Sequence, residues 1–368
     1  MKKNFFMLAA TAALFAACAE TELVNEVNVE GTQQEIGFST FAGKTTRAEN
    51  STQTEKLGLE QHHGDFDVWA YKNTMNPAYV FEDVEVTYVT ADDKWEYTPL
   101  KYWDKAANDY EFYAAAPSRA DWKLIRGTAA QNDDYFKLVN FVLEDKSIES
   151  TEYTQSFKGT NTQDLMIASP ENVGEAAILA AQKVNLEFNH ILSRLNVTVK
   201  KSEVLKNETV VLTAISVKNL PNSGSFDESK VAISAASSTE RWDVFSAYKG
   251  QITGIGLASV ETKASYVIQS LIMPQNVEYQ AIDRDGSNNS TTVAPYLELA
   301  YTIGGEPFNA SYNLANTFGS EADPVPFNEG WQNTLNITID ASVIEFEAET
   351  YKWVVYDKKN PTFGNENF

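Results

Sequence analysis

The chain has 368 residues, a formal net charge of −22 and a pI of about 4.5. Its length is that of two domains, and its charge repels phosphate backbones, which excludes nucleic acid as an expected partner. Hydrophobic residues at 43% and aromatic residues at 12% are typical of a folded protein rich in strands.

The N-terminus has the pattern of an export signal. Two lysines precede an apolar run from Phe5 to Ala17, which at about 13 residues is too short to span a membrane. We therefore predict a signal peptide at residues 1–17. Cys18, the single cysteine of the chain, follows two alanines and resembles the acylated cysteine of a lipobox, although Phe15 stands where leucine is usual. The alternative is a chance cysteine in an ordinary signal peptide.

Residues 18–47 are predicted to form a lipidated propeptide that contains one strand. Most of the segment is polar, but Ile36, Phe38 and Thr40 alternate with Gly37, Ser39 and Phe41. Arg47 and Ala48 follow in a polar stretch, where a basic residue before a small one is an accessible protease site. An ordinary linker arginine is the alternative. Acidic residues directly after Cys18 loosely resemble the surface-export signal of some lipoproteins.

Short strands with turn residues between them predict an all-β fold for the rest of the chain. One candidate helix, at residues 175–183, marks the passage between two domains, which we place at 48–183 and 184–368 to within about ten residues. The clearest alternations are the following: Val84, Val86 and Tyr88; Leu195, Val197 and Val199; Leu335, Ile337 and Ile339.

The sequence predicts neither an enzyme nor a cofactor. It lacks the Gly-x-Ser-x-Gly, Gly-x-Gly-x-x-Gly and Walker patterns, and the only thiol lies at Cys18. His62 and His63 are adjacent, so on a strand they would point to opposite faces, and a solvated loop is favoured over a metal site. For His190 we favour a structural, hydrogen-bonded histidine over a catalytic base.

Five features together resemble the fimbrillin family, whose members build type V pili. They are a lipoprotein signal; the strand-like residues 36–40 followed by Thr46-Arg47-Ala48; Tyr102-Trp103 with residues 110–117; the segment 186–197; and Gly330-Trp331 leading into residues 335–339. Their order and spacing cover nearly the whole chain.

The resemblance implies two transthyretin-like β-sandwich domains in tandem and a structural pilus subunit involved in adhesion. It implies a lipoprotein precursor in the outer membrane that an Arg-specific protease cuts between Arg47 and Ala48, releasing a strand that includes Ile36 and Phe38. A strand from another subunit would then fill the groove and place the protein in a surface fimbrium. The candidate donor residues are Ile344, Phe346, Trp353 and Val355. The alternative is that they only close their own domain.

Two further expectations concern the protein's role. Because tip subunits of the family are said to lack a donor tail and anchors to escape cleavage, Arg47 together with a strand-like C-terminus favours a stalk subunit. The rival function is a monomeric surface lipoprotein that binds glycans by stacking sugar rings on exposed aromatic residues. Four tryptophans lie close together in the sequence, although their strand spacing favours core positions: Trp69, Trp95, Trp103 and Trp122.

Overall fold

The computed structural model describes residues 34–42, 64–73, 78–127, 134–143, 164–168, 170–230, 241–245, 249–277, 295–314, 317, 325–341 and 344–352. Within these ranges the chain is nearly all β, as predicted, with 22 strands and one short α-helix. The helix α1 (Glu175–Leu179) begins where the predicted helix does but is shorter. No helix among the described residues is long and apolar enough to cross a membrane.

The strands fall into five sheets. Those up to residue 190 are β1 (Phe38–Ala42), β2 (Asp65–Asn73), β3 (Ala78–Val89), β4 (Lys94–Glu96), β5 (Asp109–Ala116), β6 (Lys123–Ile125), β7 (Tyr135–Val142), β8 (Met166–Ala168), β9 (Glu171–Gly174) and β10 (Val184–His190). The later strands are β11 (Ser193–Lys201), β12 (Val210–Pro221), β13 (Ser223–Asp227), β14 (Trp242–Val244), β15 (Lys249–Thr253), β16 (Ser265–Ile272), β17 (Gln275–Val277), β18 (Tyr296–Ile303), β19 (Glu306–Asn313), β20 (Val325–Phe327), β21 (Trp331–Ile339) and β22 (Ile344–Lys352).

The largest sheet has the strand order β1-β10-β8-β5-β2-β3-β4, with β9 paired to β5. Alternation along β2 gives this sheet two apolar faces: Val68 and Ala70 point into one core, whereas Trp69 and Tyr71 point into another. The first core, which we call the N-terminal core, also receives Ile178 of α1. The second core lies against the small sheet β14-β13-β7-β6.

Two four-stranded sheets form the C-terminal sandwich, with the orders β16-β11-β21-β22 and β15-β12-β18-β19. Their inner faces share one apolar core, to which β11 and β21 contribute the residues whose alternation is clearest in the sequence. β11 lies between two strands, and its polar residues Asn196 and Thr198 are also buried. Thr198 donates a hydrogen bond across strands to Asn336 Oδ1 (2.6 Å), and Asn196 Oδ1 accepts one from Arg194 Nε of the same strand (3.1 Å).

The predicted domain boundary falls at the first residue of β10, and β10 pairs with β1 and β8 in the largest sheet. The chain passes from β10 to the C-terminal sandwich between His190 and Ser193. The halves also share a sheet, because β7 pairs with β13. The boundary at 184 and the tandem arrangement stay predictions, and the sheet pairing favours a position just after β10.

A partly buried ion pair links the small sheet to the turn before β21. Arg241 lies 2.6 Å from Glu329 Oε1 and donates through Nε to Oε2 (3.2 Å), and its guanidinium lies over the Phe226 ring. Burial raises the pKa of Glu329 to about 7, against the opposing effect of Arg241, and the nearby Glu228 adds to the increase. Above about pH 4.5 the unfolded chain has largely lost the Glu329 proton, whereas the folded protein retains it up to about pH 7, above which the contact with Arg241 is an ion pair.

We predict that the contribution of Glu329 to the free energy of unfolding falls as the pH rises from about 4.5 to about 7. A carboxyl group whose pKa is raised by folding stabilises the fold below its unfolded pKa, and this contribution is lost as the pH passes through the folded value. Thermal midpoints of the wild type and Glu329→Gln should therefore differ by an amount that changes across this window. A constant difference from pH 4.5 to 8 would contradict the prediction.

Close packing at the end of β15 predicts a second effect on stability. A Cβ added at Gly254 would lie 2.5 Å from Val267 O and 2.6 Å from Ile215 Cγ2, so Gly254→Ala forces backbone and core to shift. We expect a loss of about 1–3 kcal/mol of unfolding free energy. The matched control is Gly64→Ala, whose Cβ meets no atom within 4 Å and which should change stability by less than about 0.5 kcal/mol. Denaturant unfolding of both variants measures the difference.

Candidate strand-exchange site

Residues 34–42 contact two separate parts of the chain, the 101–103 segment that follows β4 and strand β10 of the largest sheet. On one side, Ile36 N–H donates to Lys101 O (3.0 Å) and Trp103 N–H donates to Gln34 O (3.0 Å), next to a bridge between Glu35 and Tyr102. On the other side, β1 pairs in parallel with β10 over five residue pairs. The segment thus joins the β10 edge to the chain that follows β4.

The side chains of this segment alternate as the sequence predicts. Ile36, Phe38 and Thr40 are 0%, 3% and 5% exposed and point into the protein, whereas Gly37 and Ser39 lie on the outer side. Ile36 and Phe38 belong to the N-terminal core. Because strand side chains alternate between faces, three successive inward positions fill one continuous slot. We call the space occupied by Ile36, Phe38 and Thr40 the N-terminal slot.

Phe38 is surrounded by aromatic rings from four other places in the sheet. Its ring centroid lies 5.7 Å from Phe66, 5.6 Å from Phe81, 5.7 Å from Tyr97 and 6.2 Å from Phe112. All four pairs meet edge to face, which aligns the positive ring edge with the negative ring face. Such pairs contribute about 0.5–1.5 kcal/mol each beyond the area they bury, so this position strongly prefers an aromatic side chain.

Tyr97 also recognises the backbone of the segment. Its hydroxyl donates to Ile36 O at 2.7 Å and accepts a longer contact of 3.4 Å from Lys101 N–H. Burial raises the pKa of Tyr97, so the phenol keeps its proton and its donor role in neutral solution. A carbonyl group is present in every residue, so this hydrogen bond selects an extended strand in the correct position rather than a particular side chain.

On the outer side of the sheet, the side chains of β1 lie beside those of its neighbour β10. Ser39 Oγ lies 3.2 Å from Asn185 Oδ1, and a Cβ added at Gly37 would lie 3.5 Å from Lys183 Cγ, an ordinary contact distance. An alanine side chain at position 37 therefore fits without displacing its neighbours. The inner positions restrict the sequence of the strand much more than the outer positions do.

The structure places the candidate donor residues Ile344 and Phe346 in β22, at the edge of the C-terminal sandwich. β22 pairs with β21 over nine residue pairs. Ile344 is 8% exposed in the sandwich core, and Phe346 is partly buried with its ring 4.7 Å from that of Tyr312. In this arrangement both residues close their own domain. Trp353 and Val355 lie outside the described residues, and the donor role stays a prediction.

Several other predicted site residues also lie outside the described ranges. These are Cys18, Arg47, Ala48, His62 and His63. Arg47 falls between the end of β1 at Ala42 and the described residue Gly64, so the predicted cut separates β1 from β2 along the chain. Lipidation and cleavage stay predictions.

His190 has the structural position that the sequence favours. It ends β10 with 4% exposure, and its Nδ1 lies 3.0 Å from Asp164 Oδ1 in the interior. Asp164 was not singled out in the sequence, because the two residues lie on separate segments. Among the described residues, no three histidine, cysteine, aspartate or glutamate side chains are grouped so that they could hold a metal ion.

The four neighbouring tryptophans are all buried. Trp69, Trp95, Trp103 and Trp122 are 5%, 8%, 6% and 1% exposed. Trp122 donates its indole N–H to Pro117 O (3.0 Å), and Trp103 packs edge to face on Tyr110. They are core residues, as their strand spacing indicates, and none offers an open ring face on which a sugar would stack.

Residues 46–353 match the model of a family described as fimbrillin-like. The chain belongs to the fimbrillin-like family. The members of this family are fimbrial and adhesion structural proteins, which indicates a pilus-type adhesion subunit at the cell surface. The match begins after β1 and ends directly after β22, so it covers the body of the fold and leaves out the segment that fills the N-terminal slot.

Solved structures with a similar fold come from Bacteroides species. A fimbrial protein from Bacteroides vulgatus has a TM-score of 0.50 and 15% identity, over 87% of this chain and 100% of that chain. A candidate cell adhesion protein from Bacteroides ovatus has a TM-score of 0.50 and 12% identity, over 89% of this chain and 100% of that chain. At these identities the likeness concerns the fold. No curated protein sequence matches the chain.

We predict that Phe38→Ala loosens residues 34–42 from the sheet. The substitution removes four aromatic contacts and leaves a cavity, which for phenylalanine costs about 3–5 kcal/mol. Amide hydrogen exchange should show faster exchange in residues 34–42 and in β10 than in the wild type. Ser39→Ala, on the outer side of the same strand, is the matched control and should change the exchange little. Equal protection in both variants would show that Phe38 does not hold the strand.

Proposed function

We propose that this protein is the precursor of a pilus subunit that is exported as a lipoprotein on Cys18 and polymerises by strand exchange after cleavage at Arg47. The pilus-type subunit follows from the family. The exchange mechanism is supported by one observation above the others: residues 34–42, which precede the predicted cut, fill the N-terminal slot with buried side chains.

Loss of this segment would expose both apolar and polar groups. The pockets of Ile36 and Phe38 would open to water. Val184 N–H, which donates to Gly37 O at 2.8 Å, and Trp103 N–H, which donates to Gln34 O, would lose their backbone partners. Buried apolar surface and unpaired strand edges both favour the binding of another extended chain. A strand from a neighbouring subunit restores the core and the hydrogen bonds together.

Cleavage after Arg47 would determine when strand exchange can begin. Before the cut, β1 is covalently joined to the body and is always present at its slot. After a cut between Arg47 and Ala48, β1 remains attached only to the Cys18 side and is held by non-covalent contacts. A donor strand can then compete for the slot. Because each subunit offers one slot and one donor at different places on its surface, the contact is head to tail and produces an open filament.

The rival glycan-binding function has less support from the structure. It requires exposed aromatic faces, and the four clustered tryptophans on which it depended are buried in two cores. The presence of both a slot and an edge strand at the C-terminus is in keeping with a stalk subunit, which needs to accept one strand and donate another. Anchorage by Cys18 in the outer membrane would precede release into the fimbrium.

We predict that an Arg-specific protease converts the precursor into polymers. A full-length chain carrying Cys18→Ser, which prevents lipidation, should yield Ala48 as its new N-terminal residue and form a ladder of oligomers on a gel. Arg47→Ala under the same treatment should stay monomeric, because β1 remains joined to the body. A cleaved product that begins at Ala48, has lost residues 34–42 and remains monomeric would contradict strand exchange. Binding of a polysaccharide by that monomer would favour the rival function.

A further inference from the structure

A groove of about 370 Å³ lies on the outer face of the sheet β15-β12-β18-β19. Leu297, Leu299 and Tyr301 of β18 belong to the core of the C-terminal sandwich, so Glu298 and Ala300 between them point outward. The groove passes over three neighbouring strands, β12, β18 and β19. Ligand pockets in proteins begin at about 300 Å³, so this space suits one small ligand. We call it the outer groove.

Two rows of side chains, each running from β12 through β18 to β19, line the outer groove. The strand register defines their members: Ser216, Glu298 and Ser311 in the first row; Ala214, Ala300 and Asn309 in the second. The alanine side chains end at Cβ, and this creates the empty space beside the first row. The groove therefore has a floor of methyl groups and backbone, with hydroxyl, carboxylate and amide groups at its margins.

The polar groups of the outer groove have unused hydrogen-bonding capacity. Ser216 is only 9% exposed, and within the described part of the chain its hydroxyl has no hydrogen-bond partner. The exposed side chains of Asn309 and Ser311 likewise have none among the described residues. Thr213, by contrast, donates to Ala300 O (2.8 Å) and is satisfied within the protein. A buried polar group without a partner is costly, and a ligand in the groove reaches the Ser216 hydroxyl from its open side.

The charge of the lining excludes strongly charged ligands. Among the described residues that line the groove, Glu298 is the only ionisable one, and it forms an ion pair with Lys218 of the same face. The pair cancels the local charge, while the net charge of −22 repels anions. No three metal-binding side chains are grouped anywhere in the described ranges. The lining therefore selects a ligand that is neutral and polar.

The position of the groove also excludes an added peptide strand. β12 and β18 each have hydrogen-bonded neighbours on both sides, so their backbone groups are used within the sheet. An extended peptide gains affinity by pairing its backbone with a sheet edge, and the face of a sheet offers no such pairing. Hydroxyl and amide groups both donate and accept hydrogen bonds, which matches a ligand that itself carries several hydroxyl groups.

We propose that the outer groove binds a neutral saccharide residue of a surface glycan. Ser216, Ser311 and Asn309 exchange hydrogen bonds with its hydroxyl groups, and Glu298 accepts through the oxygen that does not contact Lys218. The alanine floor packs against the apolar face of the sugar ring. The site lies wholly in the C-terminal sandwich, so it does not rest on strand exchange. It also differs from the rival function, which depended on exposed tryptophans and a monomer.

Binding to immobilised sugars tests this site. The protein is the uncleaved full-length chain carrying Cys18→Ser, coated on fluorescent beads so that many weak contacts add together. The probes are immobilised galactose, glucose, mannose and N-acetylglucosamine, with N-acetylneuraminic acid as the charged comparison. Titration of the retained sugar into soluble protein then gives the dissociation constant of each variant.

The variants separate the groove from the rest of the face. Ala300→Trp fills the groove, whereas Ser216→Ala and Asn309→Ala each remove hydrogen-bonding groups without adding bulk. Thr302→Ala is the matched control, because Thr302 lies on the same face of β18 but does not line the groove.

We expect the wild type to bind at least one of the neutral sugars and not N-acetylneuraminic acid. Ala300→Trp should abolish this binding, Ser216→Ala and Asn309→Ala should each weaken it about threefold to tenfold, and Thr302→Ala should leave it unchanged. Ser216→Ala should also leave the thermal midpoint no lower, because the hydroxyl that it removes has no partner in the protein.

Three results would overturn the saccharide site. They are the absence of binding to every neutral sugar, equal binding by the wild type and Ala300→Trp, and unchanged dissociation constants in both Ser216→Ala and Asn309→Ala. The uncleaved chain keeps β1 in its slot, so none of these results bears on strand exchange. Failure of the cleaved chain to polymerise would overturn the proposed function and leave the saccharide site intact.

Discussion

The insertion of residues 34–42 between β10 and the segment after β4 is the contact on which the N-terminal part of the molecule depends. The insertion satisfies two backbone edges at once and places Phe38 at the centre of four aromatic rings. Its partners come from far along the chain; Ser39 and Asn185, for example, are separated by 146 residues. A contact made of side-chain burial and backbone pairing alone can be made equally well by a strand of another molecule, provided that its inward side chains fit.

The two ends of the chain differ in how firmly their strands are held. β1 and β22 both lie at the edge of a sheet, but Ile36 and Phe38 beside and within β1 are fully buried, whereas Phe346 of β22 is only partly buried. An open edge is normally a liability, because it invites pairing with other chains.

The short-range features of the fold were largely predictable. The alternation of Ile36, Phe38 and Thr40, and that of Leu335, Ile337 and Ile339, put the apolar side chains in the core as expected. The helix was found at Glu175 but ended earlier than predicted. Tyr97, Phe81 and Asp164 were not identified as important, because each acquires its role from a residue on a different segment. The pattern of a single strand contains no information on which distant side chains will surround it.

The sequence by itself determined the all-β class, the family and the position of the short strand before Arg47, because all three depend on local alternation and on motifs in a fixed order. Only the tertiary structure decided that this strand runs parallel to β10, that it closes a slot lined by aromatic rings, and that β10 belongs to the first sheet. The physical reason is that strand pairing joins residues separated by more than a hundred positions. The register and the partner of a strand are then selected by how well its side chains fill the pockets and how well its backbone pairs with the neighbouring edge. The pockets and the edges exist only once the sheet has assembled.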